Sequence, residues 1–432
     1  MRLGKLSLVA VMALGTSAFA IDNVKVNGEA KVWYQTFETE GTATAATTNG
    51  KDFFDYDTNS MANVKLSIGA TADLLQNLSA GVKASALTTL GLENNLVGDV
   101  STTKFDAQGN NVGTAKLDDQ SWVEELYLAY TMGKTTAKVG RQALSTPLAF
   151  TENWNITENT FEAAVLLNND LPDTTLVGAW VGKHNGVGLL KPTTGRGTTI
   201  AYNGEFSTFG SDGAYAVAAI NKSIPNTTVQ AWYYNVGQIA DAYWLQADAK
   251  VLGMVNLGVQ YAGMNPDSAL GGGTSDRSTE MFALKAAVDV AGVNVYGAYS
   301  SVNDGTLGFS NVATGDKTMM YTGLGSVYFD GEIVAAPDTD AWKIGASTKM
   351  VPGVTLSASY AEAETGNNGA AAAAVAGLSL QDNDYSAWDV VASTKAGPVD
   401  LTAIYTEFDR ENSVGVKTLD NALFRLIASL KF

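Results

Sequence analysis

The chain of 432 residues contains one histidine, His184, and no cysteine. Those two facts bound the chemistry open to it. Thiolate zinc and iron–sulfur sites need cysteines, as do disulfide-stapled secreted domains. Ser–His–acid hydrolysis needs an imidazole held beside its nucleophile, and no supporting motif surrounds His184. Asp55-Tyr56-Asp57-Thr58-Asn59 echoes the start of a calcium loop, but the required glycine is missing and the twelfth position is Leu66. Gly323-Leu324-Gly325 lacks the third glycine of a dinucleotide turn. Acids outnumber bases 44 to 27, a net charge of −17, which argues against neutralising nucleic-acid phosphates. The expectation is therefore no enzyme, no cofactor, no metal site and no nucleic-acid partner. The chemistry that remains is the placement of charge, and the elements that place it are strands.

Apolar and polar residues alternate with period two through most of the chain. Val64, Leu66, Ile68, Ala70, Ala72 and Leu74 alternate with Lys65, Ser67, Gly69, Thr71 and Asp73. Phe282, Leu284, Ala286 and Val288 alternate with Ala283, Lys285, Ala287 and Asp289, and Trp342, Ile344, Ala346 and Thr348 with Lys343, Gly345, Ser347 and Lys349. Such alternation gives each strand one apolar and one polar face. Tight connections such as Leu75 to Leu78, Met132 to Thr135, Ala291-Gly292 and Gly397-Pro398 take turns with long polar stretches. The long stretches are 39–61, 88–120, 143–158, 185–212, 265–279, 302–340, 364–383 and 409–420, with one short link near Gly237. In an up-and-down barrel this puts every short turn at one end. The pattern predicts about 18 strands, with 16 as the alternative if 143–212 holds two fewer, in an all-β, antiparallel, up-and-down transmembrane barrel. The alanine run Ala370–Ala376 falls in a long loop, as a helical turn or a spacer.

A bilayer crossing explains the pattern better than a sandwich. The strands run about ten residues, the length that crosses the hydrocarbon at a tilt, whereas sandwich strands usually run five or six. Trp232-Tyr233-Tyr234, Tyr243-Trp244, Tyr296, Tyr299, Tyr360 and Trp388 are candidates for interfacial aromatic belts. Met1-Arg2-Leu3-Gly4-Lys5, the apolar run Leu6–Ala20 and the ending Ala18-Phe19-Ala20 read as a signal peptide over 1–20. Its removal would leave a barrel over 21–432 and, with Arg2 and Lys5 gone, change the net charge from −17 to −19. Export to the outer membrane of a Gram-negative bacterium follows.

The last strand carries the most specific local signal. Phe424, Leu426, Ala428, Leu430 and Phe432 form an apolar face ending in a terminal Phe, opposite Arg425, Ser429 and Lys431. This resembles the assembly signal that the barrel insertion machinery reads. Glu125-Leu126-Tyr127-Leu128-Ala129-Tyr130, a tight turn and Ala137-Lys138-Val139-Gly140-Arg141-Gln142 resemble general porins. The continuation Ala143-Leu144-Ser145-Thr146-Pro147-Leu148 resembles the OprD-like and campylobacter-type major outer-membrane porins. That resemblance implies eighteen strands, passive diffusion of ions and small hydrophilic solutes, a homotrimer, and a third external loop folded into the pore. By position the loop is 143–158, which implies a constriction with Glu152, Asn153 and Glu158 on one side and Arg141 on the other. Arg141 shares strand parity with Val139, so one of the two must face the unexpected side unless a bulge intervenes.

By parity the pore-lining bases include Lys31, Lys65, Lys83, Lys250, Lys285, Lys343 and Arg425, and the pore-lining acids Glu29, Asp73, Asp248 and Asp289. The surplus acid sits in the long connections, among them Glu40, Asp52, Glu93, Asp119, Asp304, Asp316, Glu332 and Asp340. Acids at a mouth raise the local cation concentration within about 8 Å at physiological salt. A weak cation preference is expected. The competing readings are a surface adhesin or structural barrel with an occluded lumen, and a soluble exported β-solenoid. In the barrel readings the surroundings are outer-membrane lipid and lipopolysaccharide.

Overall fold

The computed structural model describes residues 22–39, 52–54, 60–88, 103–105, 111–114, 119–186, 200–208, 212–237, 239–267, 277–326, 331–366 and 382–432. The proposed signal peptide, the Asp55–Asn59 run and Ala370–Ala376 lie outside them.

Eighteen long strands form one antiparallel sheet in chain order. They are β1 Asp22–Thr39, β2 Ser60–Leu75, β3 Leu78–Thr88, β4 Gln120–Met132, β5 Thr135–Gln142, β6 Phe161–Asn168, β7 Thr174–His184, β8 Ala214–Asn221 and β9 Thr227–Val236. The second half holds β10 Ala240–Val251, β11 Val255–Pro266, β12 Thr279–Val290, β13 Val293–Val302, β14 Thr339–Thr348, β15 Val354–Thr365, β16 Asn383–Ala396, β17 Val399–Asn412 and β18 Lys417–Lys431. β1 pairs with β18 from Glu29↔Lys431 to Thr39↔Asn421, so the sheet closes and has no free edge. Closure is what lets a sheet satisfy its backbone N–H and C=O groups where no water reaches.

The two faces are inverted relative to a soluble protein. On β2, Leu66 is 45% exposed while Lys65 beside it is wholly buried. On β12, Phe282 and Leu284 are exposed while Met281 and Ala283 are buried. The outer face is thus apolar, as hydrocarbon demands, since a Lys or Arg on it would cost about 2–4 kcal/mol at the bilayer midplane. Tyr233, Tyr261, Tyr299 and Trp388 are exposed on this face. Trp232, Tyr234 and Trp244, expected in the belt, are instead buried inside. They sit one residue away from outward Tyr233 and Tyr243, and alternation sends neighbours to opposite faces.

The short turns use residues that accept positive φ: Asn77 at 68°, Asp173 at 52° and Asn226 at 56°. One expected long connection is absent, because β17 and β18 extend to Asn412 and Lys417 and leave only a tight turn between them. Lys417 bridges Asp409 at 2.9 Å and Asp420 at 2.8 Å, so the charged residues that read as loop are strand partners. A small separate hairpin, Thr103–Phe105 with Asn111–Thr114, lies within the connection before β4. Among its described residues, segment 303–338 holds one helical turn, Gly331–Val334, and contributes buried Phe309, Met320, Leu324 and Val334 to the interior.

Gly140, in the Gly-Arg-Gln run, has φ +127°, and a Cβ there would lie 2.2 Å from the Leu126 carbonyl oxygen. Gly140→Ala should therefore destabilise the barrel by ~1–3 kcal/mol. Urea midpoints for refolding into lipid bilayers check this, and an unchanged midpoint would contradict the assigned close approach.

Candidate functional site

The site is the upper lumen, narrowed by two inward segments. Segment 143–160 leaves β5 and crosses inside the ring. Leu148 packs with Trp232, Trp244 and Met281 of one wall, and Ile156 with Trp33 and Trp122 of another. Its return to β6 is fixed where Thr160 Oγ1 donates to the Glu124 carbonyl at 2.9 Å. Segment 303–338 meets it from the other side, with Val312 N donating to Leu148 O at 2.9 Å and Asn311 Nδ2 to Phe150 O at 2.8 Å.

Glu152 closes this junction. Its carboxylate accepts from Asn311 Nδ2 at 2.8 Å, Trp154 Nε1 at 2.6 Å, Lys317 N at 3.3 Å and the Thr314 hydroxyl. Burial pushes this carboxyl above the usual glutamate range, against the pull of Thr314, Asn311, Trp154 and Lys317. Glu152 is thus enclosed between the two loops and presents no carboxylate to a water column, whereas its neighbour Asn153 is exposed. The sequence placed both on the constriction; the structure makes Glu152 the clasp behind it.

Glu158 lies among lysines on the β1–β3 wall. It bridges Lys83 at 3.4 Å. Burial would raise its carboxyl, but Lys65, Lys83 and Lys31 outweigh that and hold it below the ordinary range. Glu124, which sequence reasoning did not single out, is the hub of the same network. It pairs with Lys83 at 2.5 Å and Lys65 at 3.5 Å and accepts from the Ser85 hydroxyl. A register shift opposite Lys83 and Ala84 leaves Glu124 as the extra residue, a bulge that turns it inward next to Glu125. Two consecutive acids in an otherwise alternating strand were the available signal. The network also resolves a conflict, because Lys31 and Lys65 are directly opposite across β1 and β2, a repulsive pair unless acids stand between. Lys31 bridges Glu29 at 3.5 Å.

The facing wall binds segment 303–338. Lys285 bridges Asp248 at 3.3 Å, Tyr321 donates to Asp248 at 3.0 Å, and Lys343 donates to the Gly323 carbonyl at 2.5 Å. Gly323 and Leu324 are thus acceptors for a wall lysine. Lys250 and Asp289 are exposed near the short-turn end. Lys65 and Arg425 point inward as parity required but are covered, each 0% exposed.

Arg141 is not opposite the loop. Val139, on the same face, is 58% exposed to the outside. Lys138, on the other face, lies over the Tyr127 ring beside Glu125 in the lumen. Arg141 bridges Glu162 at 2.9 Å and stacks on Phe206 on the outer surface. No bulge intervenes in the β4–β5 register, so alternation decides the matter. Phe424, Leu426, Leu430 and Phe432 also face outward, with Leu426 and Phe432 the most exposed.

These features define a closed, eighteen-stranded antiparallel barrel of membrane type, with loops folded into its bore. Solved structures share that fold. Pseudomonas aeruginosa OccK8 (OprE) aligns with a TM-score of 0.68 at 14% identity, over 96% of this chain and 99% of that one. OpdK from the same species, described as an outer membrane protein and also solved with vanillate, aligns in the vanillate structure with a TM-score of 0.68 at 13% identity, over 96% and 99%. Acinetobacter baumannii OccAB4 aligns with a TM-score of 0.67 at 12% identity, over 94% and 98%. No family model matches the chain, and no curated protein matches it by sequence.

Replacing Glu152 with Ala would strip acceptors from Asn311 Nδ2 and the Trp154 indole. The junction should weaken by ~1–3 kcal/mol while the barrel stays closed. Chymotrypsin cleavage at Phe150 should accelerate, with the compact electrophoretic form of the barrel unchanged; equal protection of both proteins would refute the clasp.

Proposed function

We propose that the chain is a passive diffusion channel of the Gram-negative outer membrane, admitting ions and small hydrophilic solutes with a weak preference for cations. The observation that carries the reading is the inverted ring, apolar outside and lined inside by charged and hydroxyl groups, with loops narrowing its bore. Glu158 and Asn153 face the narrowing, together with Lys31 and Lys83. The cation preference rests on pairing. Lys31, Lys65, Lys83 and Lys285 each have a carboxylate within 3.5 Å, so lumen bases are largely neutralised. The acid surplus of the connections then sets the field at the mouth. Within this reading the ring is surrounded by lipopolysaccharide and assembles as a homotrimer. The insertion machinery delivers it by way of the Phe424–Phe432 face.

Planar-bilayer recording in a KCl gradient tests the proposal. Ohmic conductance with a reversal potential of cation-selective sign is expected. Absence of conductance would favour an occluded structural barrel, and an anion-selective sign would refute the preference. Glu158→Gln removes one charge at the narrowing. At ~7 Å in water that charge is worth ~0.6 kcal/mol, cut to ~0.25 kcal/mol by physiological salt and opposite in sign for cation and anion, so the cation-to-anion permeability ratio should fall about two- to threefold.

A held-down carboxyl also sets a pH window. Because lysines keep Glu158 ionised below the ordinary glutamate range, its contribution is present above that range. It should be lost only as pH falls through the lowered value. The selectivity difference between the wild type and Glu158→Gln should therefore persist down through the ordinary glutamate range and vanish only on stronger acidification. Loss already at pH 6 would contradict the network.

A further inference from the structure

One side chain joins three separated parts of the molecule. Arg425 lies in β18 and is wholly buried. Its direct partner across the closing seam is Gln35 of β1. Arg425 Nε donates to Gln35 Oε1 at 3.0 Å, and Nη2 donates to the same oxygen. The remaining arm, Nη1, donates to the Trp154 carbonyl at 2.7 Å. Its guanidinium lies 4.7 Å from the Trp33 ring centre and 5.5 Å from that of Trp154. Trp33 belongs to β1, and Trp154 to the inward loop. The Trp154 ring also has Lys317 of segment 303–338 at 5.1 Å from its centre, and its indole N–H donates to Glu152.

The geometry points to Arg425 as the positioning residue of the narrowing, a latch through which closure of the ring sets the inward loop in place. The fork needs Gln35 to fix two of its nitrogens and Trp33 to fix its plane. Both arrive only when β1 and β18 pair. Until then the third nitrogen has no defined direction toward the Trp154 carbonyl. An arginine suits this task because its donors are rigidly forked and its face stacks on indole. A lysine could reach one acceptor but not hold the plane. The seam therefore adds the last anchor to a loop already tied to β4 and to segment 303–338, and the loop takes its final position after the ring has closed.

The inference rests on the channel reading only for its conductance arm. Because the chain has no cysteine, Thr157→Cys gives a unique thiol at a 0% exposed position within the inward loop. During refolding into lipid vesicles, protection of this thiol from a maleimide should appear together with the compact electrophoretic form, not before it. Arg425→Met in this background should still give the compact form, but maleimide labelling should run at least tenfold faster. Trp154→Ala, a change outside the sheet, keeps the carbonyl acceptor but removes the ring against the guanidinium and the indole bond to Glu152; it should also accelerate labelling, and by more than Glu152→Ala, which loses only the clasp. Arg425→Lys should resemble Arg425→Met. In bilayers Arg425→Met should raise single-channel conductance and open-channel noise. Should Arg425→Met fail to form the compact barrel, Trp154→Ala decides. Labelling as slow as in the background in both variants, or protection preceding closure, overturns the inference. An inactive wild-type channel with the expected labelling pattern would count against the channel reading and leave the latch standing.

Discussion

Backbone hydrogen bonding without water is the constraint on which everything else depends. A sheet that must satisfy its own N–H and C=O groups in hydrocarbon cannot end, so the first strand has to meet the last. The eleven paired positions from Glu29↔Lys431 to Thr39↔Asn421 meet that demand. Closure then dictates the rest. Alternate side chains must face lipid, so those are apolar. The opposite set is left facing inward, where charge can be held only in pairs or in water.

Inside the ring the polypeptide solves a packing problem that a wet bore alone would not pose. Two segments fold inward, and they bring apolar side chains with them. Phe309, Met320 and Leu148 pack with Trp232, Trp244 and Met281 of the wall. Polar contacts then fix their height and orientation: Glu152 with Asn311 and Thr314, Tyr321 with Asp248, and Ser326 with Asp389 at 2.8 Å. The interior is thus part small hydrophobic core and part charged wall. Inward-facing Trp232, Trp244 and Met281 of β9–β12 belong to the core, and Lys31, Lys65, Lys83 and Glu124 of β1–β4 to the wall.

The ring was legible in the sequence because a period of two repeated over eighteen segments is a strong physical signal. The expected strands around Leu66, Phe282 and Ile344 face as their alternation required, with these residues exposed. The contents of the ring were far less legible. Segment 302–340 read as an external loop, although Leu307, Phe309, Met320, Leu324 and Val334 make it too apolar to stay in water. That composition was the available clue. Arg141 was assigned inward by likeness to a motif, while simple parity with Val139 places it outward. Glu152 was expected at the constriction by family resemblance, but nothing in its neighbourhood announced that Asn311, more than 150 positions later, would enclose it. Clusters of acid and base misled around 409–420, where Lys417 between Asp409 and Asp420 marks paired strands rather than a solvated turn.

A closed ring has no first strand by geometry; only the order of synthesis gives it one. Gly28 N donates to Phe432 O at 2.7 Å, and Phe432 N donates back to Gly28 O at 3.0 Å. The two ends of the cylinder wall are therefore side by side. From Gly28 back to Asp22 the chain runs about 20 Å at ~3.3 Å per residue, a gap that a linker of six to ten residues would bridge. A gene circularly permuted to begin after the Ala291-Gly292 turn would then encode the same cylinder. Its closing seam would become the β12–β13 pair, and the strand that now ends in Phe432 would run on into its neighbour.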